Sequence, residues 1–151
     1  MLRDRFTNDL KAAILGKDAC ATSTLRLILA ALKDRDIAAR GKGQPEGIGE
    51  DEIVAMLQTM IKQRRESIDL YERGGRLELA QQEADEIALI ERFLPAQLSA
   101  EEIGAAVRKV VAELGATSLK DMGKIMAELR SRYAGRMDFS KASALVKQQL
   151  S

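Results

Sequence analysis

Apolar positions recur three or four residues apart along nearly the whole chain, the spacing of amphipathic helices. Leu2, Phe6, Leu10, Ala13 and Ile14 form a first stripe that stops near Gly16. A second helix is predicted from about Asp18 to Arg40, with Leu25, Ile28, Leu29, Leu32 and Ile37 facing inward. Residues 41–49 hold four glycines and one proline, which predicts a loop, and a mobile one. A third helix follows from about Glu50 to Arg73, its stripe Ile53, Leu57, Met60, Ile61, Ile68 and Tyr71. Its acidic start, Glu50-Asp51-Glu52, suits the positive end of the helix dipole. Gly74-Gly75 breaks it. A fourth helix, about Leu77 to Phe93, carries Ala80, Ala84, Ile87, Ile90 and Leu94, and Pro95 ends it.

Ser99 with Glu102 three residues later is a capping box, a strong start signal for a fifth helix. That helix shows Ile103, Val107, Val110, Val111 and Leu114, and Gly115 stops it. A sixth is predicted to begin at Ser118 and to bury Leu119, Met122, Met126, Leu129 and Tyr133. Asp138 can cap a seventh, with Ala142, Leu145, Val146 and Leu150 inward. The expected fold is therefore all-α: an N-terminal bundle of four helices over 1–95 and a small three-helix domain over 99–151. No segment alternates with period two.

Composition narrows the chemistry. The 151 residues include no His and one Cys. Ser-His and Cys-His couples and His-based metal sites are thereby excluded within the chain. Cys20 has no internal disulfide partner and no neighbour that would make it a thiolate, so it reads as an inert small residue. No cofactor and no metal are expected. No apolar run approaches a membrane span, and Met1 to Arg5 opens into a charged amphipathic pattern rather than a signal peptide. These features predict a cytoplasmic protein with no membrane contact. The glycine loop lacks the Gly-Lys-Ser/Thr ending of a phosphate-cradling motif.

Charge is uneven. The whole chain is +1, but 1–95 carries 15 basic and 17 acidic side chains, and 96–151 carries 9 and 6. Seven basic residues gather in 120–147: Lys120, Lys124, Arg130, Arg132, Arg136, Lys141 and Lys147. Gly123 stands next to Lys124 in a predicted helix interior. A glycine there costs up to about 1 kcal/mol against alanine, so close approach of another helix or of a ligand is expected at it. Tyr133 and Phe139 flank Arg136, an arrangement that can stack bases or simply fill the small core. In the N-terminal half, Lys62-Gln63-Arg64-Arg65 is the densest basic cluster. Arg64 sits at the edge of the apolar stripe, where Glu83 or Glu86 is its expected partner. Lys62, Arg65 and Arg76 form a second candidate basic patch.

Several segments together resemble one family. They are Leu25-Arg26-x-Ile28-x-Ala30-Ala31-Leu32-Lys33, Lys62-Gln63-Arg64-Arg65-Glu66-Ser67-Ile68 and Tyr71-x-x-Gly74-Gly75-Arg76-x-x-Leu79. Phe93-Leu94-Pro95-x-Gln97-Leu98-Ser99 and Gly115-Ala116-x-Ser118-x-Lys120-Asp121-Met122-Gly123-Lys124-Ile125-Met126 complete the set. In this order and spacing they resemble the YqeY (GatB/YqeY) family from end to end. The resemblance implies a two-domain helical protein, similar to the C-terminal tail of the B subunit of glutamine-dependent tRNA amidotransferase. That tail contacts tRNA away from the enzyme's kinase and amidase sites. Kinship to a carbon–nitrogen ligase with glutamine as amido-N-donor implies no catalysis here, because the chain is too short to hold those catalytic domains as well. The expectation is a non-catalytic module that binds tRNA or an RNA-linked protein complex through Lys120, Gly123, Lys124, Arg130, Arg132, Arg136 and Lys141. Two alternatives stand beside it: an accessory component of tRNA-dependent amidation, and a protein–protein adaptor without RNA contact.

Overall fold

The computed structural model describes residues 1–150 and is built from helices, with no strand among them. The helices are α1 (Leu2–Leu15), α2 (Ala19–Gly41), α3 (Glu50–Arg73), α4 (Leu77–Glu91), α5 (Ala100–Leu114), α6 (Met122–Arg132) and α7 (Phe139–Leu150). A 3-10 turn, Leu119–Asp121, precedes α6. The chain divides into two compact units, one of Met1–Leu94 and one that begins at Pro95.

In the first unit α1 packs on α2, α3 packs on α4, and α2 reaches both members of the second pair. Phe6, Leu25, Ile28, Ile53, Met56, Leu57 and Ile90 are fully buried between them. Phe6 meets Phe93 edge to face, with centroids 4.9 Å apart, and the Arg5 guanidinium lies 5.0 Å over the Phe93 ring. Two predicted core positions are corrected. Ile14 is 48% exposed and Ile37 is 55% exposed. On α2 the inward position next to Ile37 is taken by Asp36, a carboxylate that is itself buried. Hydrophobic patterning could not foresee this, because Asp36 is satisfied by residues far away in sequence.

Those partners also hold the end of the glycine loop. The Arg3 guanidinium pairs with both Asp36 oxygens, one through Nη2 at 2.8 Å, and the same Nη2 donates to the Ile48 carbonyl at 2.8 Å. The Ile48 N–H donates to Asp36 Oδ1 at 2.9 Å, and the Ile48 side chain is buried. The end of the glycine loop is thus pinned to α1 and α2. Gly47, at φ +84°, lets the backbone pass: a Cβ there would lie 2.3 Å from Asp36 Oδ1. As expected, α1 stops at Gly16. Gly16 keeps φ −81°, and the left-handed residue is Lys17 at φ 55°.

In the second unit Ile103, Val107, Val110, Ile125, Leu129, Met137, Ala142 and Val146 make the core, with Tyr133 and Phe139 partly buried against it. The capping box is present: Ser99 Oγ accepts from the Glu102 N–H at 3.1 Å, and Glu102 accepts from the Ser99 N–H at 3.0 Å. Asp138 Oδ1 accepts from the N–H groups of Ser140 and Lys141, at 3.0 and 3.3 Å, and so caps α7. The sixth helix begins at Met122 rather than Ser118, because Leu119–Asp121 winds as a tighter turn. That change of phase turns Leu119 outward, while Ile125, absent from the predicted stripe although it shares the face of Met122 and Leu129, is fully buried. Leu114 is also outward.

Candidate functional site

The seven basic residues of 120–147 separate into two groups. Arg132 is committed: its guanidinium bridges Glu113 at 2.6 Å on α5 and Glu128 at 2.7 Å on its own helix. Hydrogen bonds to those carboxylates raise its pKa above the ordinary guanidinium value. Arg136 is committed too. Its Nε donates to the Ala96 carbonyl at 3.0 Å, its own carbonyl accepts from the Leu98 N–H at 2.8 Å, and Gln97 donates to the Gly135 carbonyl beside it. These two residues, expected from sequence to be ligand contacts, also brace the fold. Lys120, Lys124, Arg130, Lys141 and Lys147 are exposed and have no carboxylate partner among the described residues. Arg130 lies over the Phe139 ring, 5.8 Å from its centroid.

Gly123 is not in a helix interior. It is the second residue of α6, and a Cβ added to it would meet nothing within 4 Å. No helix approaches it, so the packing explanation for the glycine does not hold. Instead Gly123 lines a surface cleft of 640 Å³ with Met122, Met126 and Arg130 from α6 and Phe139, Ser140 and Ser143 from the start of α7. On α6 positions 123, 126 and 130 share one face, as do 140 and 143 on α7. Neither serine hydroxyl has a hydrogen-bond partner among the described residues. Sequence reasoning found Gly123 and Arg130 but missed the serines and methionines. Ser140 and Ser143 precede no recognisable motif, and only the facing of α6 and α7 makes them a wall.

Of the second candidate patch, Lys62 and Arg65 are neighbours on α3 and Arg76 lies apart from them. Lys62 and Arg65 lie on α3, and Arg65 pairs with Glu91 at 3.5 Å. Arg76 lies past the α3–α4 turn, with about 16 Å of helix between Lys62 and the end of α3 at Arg73. Arg64 behaves as expected: its Nε lies 3.0 Å from Glu86 and 3.9 Å from Glu83, and its Nη1 donates to the Met60 carbonyl. Burial, and then the neighbouring Glu86 charge, raise the Glu83 pKa. Cys20 is exposed. Among the described residues no three Cys, Asp or Glu side chains gather as a metal site, and no helix is long and apolar enough to cross a membrane.

The sequence profile of the family described as Yqey-like protein matches residues 3–150. The chain belongs to the YqeY family. Among its relatives is the Altered inheritance of mitochondria protein 41, mitochondrial, of Eremothecium gossypii, 36% identical over 111 residues, 72% of this chain and 58% of that protein. The proteins of the same name from Lachancea thermotolerans and Kluyveromyces lactis are 34% and 32% identical, each over 70% of this chain and 56% of the relative. The chain thus spans a little over half the length of these relatives. The family expectation from sequence is met. The cytoplasmic expectation is overturned, because these relatives are named as mitochondrial proteins. Its grounds were weak physically: a lone thiol suits any reducing compartment, and the lack of a spanning helix does not distinguish one aqueous compartment from another.

Proposed function

We propose that the unit beginning at Pro95 is a non-catalytic RNA-binding module, with tRNA as its partner class. The observation that carries this reading is the state of its basic residues. Lys120, Lys124, Arg130 and Lys141 are exposed and free of carboxylates, while the cations that stabilise the fold, Arg132 and Arg136, are different ones. Unpaired surface cations release phosphate counterions when they bind RNA, so affinity falls steeply with salt. The resemblance to the tail of the tRNA amidotransferase B subunit supports tRNA in particular. An accessory part in tRNA-dependent amidation would use these same cations and add no chemistry.

The test is a titration of labelled tRNA at about 50 mM salt and at rising salt. Lys120→Glu, Lys124→Glu and Lys141→Glu together should abolish binding while the thermal melt stays unchanged. Equal affinity for variant and wild type, or no binding by either, favours a second reading, a protein–protein adaptor. That reading has its own support: Leu70 and Leu77, at the turn end of the α3–α4 hairpin, are 68% and 66% exposed. Apolar side chains this exposed mark interaction surfaces when they cluster.

A further inference from the structure

We infer that the α6–α7 cleft receives one unstacked nucleotide, so that the module selects single-stranded or flipped-out RNA over plain duplex. This rests on the RNA-binding reading above and gives it a substrate class. The cleft has the parts such a ligand needs. The cleft is a surface depression open to solvent, so a base can enter it from outside. Met122 and Met126 line it, and thioethers are soft, polarisable surfaces that accept flat aromatic groups. Arg130, held over Phe139 and free of any carboxylate, presents a cation at the wall; guanidinium planes stack on bases and pair with phosphate. Ser140 and Ser143 offer two hydroxyls without protein partners, each able to donate and accept.

Gly123 gives the cleft its access. Glycine is not needed there for backbone reasons, since its φ is not in the left-handed region and no atom lies within 4 Å of its missing Cβ. In the first turn of a helix, alanine or leucine would be the better helix former. The space that a side chain would fill is the cleft itself. Phosphate contacts by the surrounding lysines do not depend on that space, so the two modes of binding separate experimentally.

The experiment uses the full chain and three probes: adenosine 5′-monophosphate, a single-stranded RNA dodecamer and a duplex of the same length. Gly123→Leu fills the cleft, and Ser143→Leu fills it from the opposite wall. Both variants should melt no lower than wild type, so lost binding cannot be lost folding. Wild type should bind the single strand more tightly than the duplex. Each filled variant should lose about tenfold in affinity for the single strand, the scale of one stacked base, while duplex binding stays within about twofold. Unchanged single-strand binding in both variants overturns the cleft and leaves the RNA-binding reading standing. If neither RNA binds wild type, that reading fails, and the monophosphate decides the cleft alone. Retained binding that both fillers abolish supports the site; no binding of the monophosphate removes it.

Discussion

Two glycines carry opposite physical arguments. Gly47 combines φ +84° with a missing Cβ that would lie 2.3 Å from Asp36 Oδ1. Gly47→Ala pays for the left-handed backbone and displaces the carboxylate that holds the loop. A loss of about 2 kcal/mol is expected in urea denaturation. Gly123→Ala meets open space in a helical first turn and should raise stability by about 0.5 kcal/mol. Asp36 itself sets a pH dependence. The Arg3 hydrogen bonds, opposed by burial and aided by the Ile48 N–H, lower its pKa from 3.8 to about 2. A carboxylate lowered on folding stabilises fully above its unfolded pKa and loses that contribution as pH falls towards its folded one. The contribution is on the order of 2 kcal/mol, lost between about pH 4 and pH 2. Asp36→Asn should be less stable at pH 6, and its urea midpoint should fall less than that of wild type across that interval. Parallel falls in the two proteins would mean that other carboxylates set the acid limb.

At the scale of elements, the α3–α4 hairpin depends on Arg64 lying between Glu83 and Glu86. All three side chains are largely withdrawn from solvent, at 12%, 23% and 12% exposure. Arg64→Met keeps the apolar stem and removes the charge, leaving two neighbouring carboxylates uncompensated. A cost of about 3 kcal/mol is expected at pH 7. With the opposing Arg64 charge gone, burial and the Glu86 charge raise the Glu83 pKa further, so the folded variant takes up a proton more readily than the unfolded chain. Its deficit against wild type should shrink as pH falls from 7 towards 5; a deficit independent of pH would mean lost packing alone. This pair was legible in sequence because Arg64 stood at the edge of an apolar stripe, with acidic residues one helix away. The helices themselves were legible for the same reason, since apolar spacing, the Ser99–Glu102 box and Pro95 are all local signals. What was not legible depended on distance in sequence. Asp36 in the core needs Arg3 and Ile48, and the 3-10 turn before α6 takes Leu119 out of the stripe. The candidate site was half legible. Its cations lay in one run of sequence, and Glu128 four residues before Arg132 was a local signal, but the contacts to Glu113 and Ala96 depended on tertiary structure.

At the scale of the whole molecule, the division at Leu94 and Pro95 predicts that the chain can be cut there. Each unit has its own closed apolar cluster, one from Leu2 to Phe93 and one from Ile103 to Leu150. Fragments 1–94 and 95–151 should each be helical and melt cooperatively. The exact start of the second fragment matters more than the apolar pattern suggests. A domain read from helices alone begins at Ser99, but residues 96–98 lie against the α6–α7 connection through three bonds. The Leu98 N–H donates to Arg136, Gln97 donates to Gly135, and Arg136 donates to Ala96. Leu98 also packs on the second cluster. Beginning at Ser99 removes these contacts and frees the segment that carries Met137, a fully buried core residue. Fragment 99–151 should therefore be less stable than 95–151 by about 2 kcal/mol, a large share of the stability a unit this small can hold. Circular dichroism melts of the two fragments make the comparison. Equal melting temperatures would show that residues 95–98 are a passive linker, and a 95–151 fragment without helix would show that the second unit depends on the first.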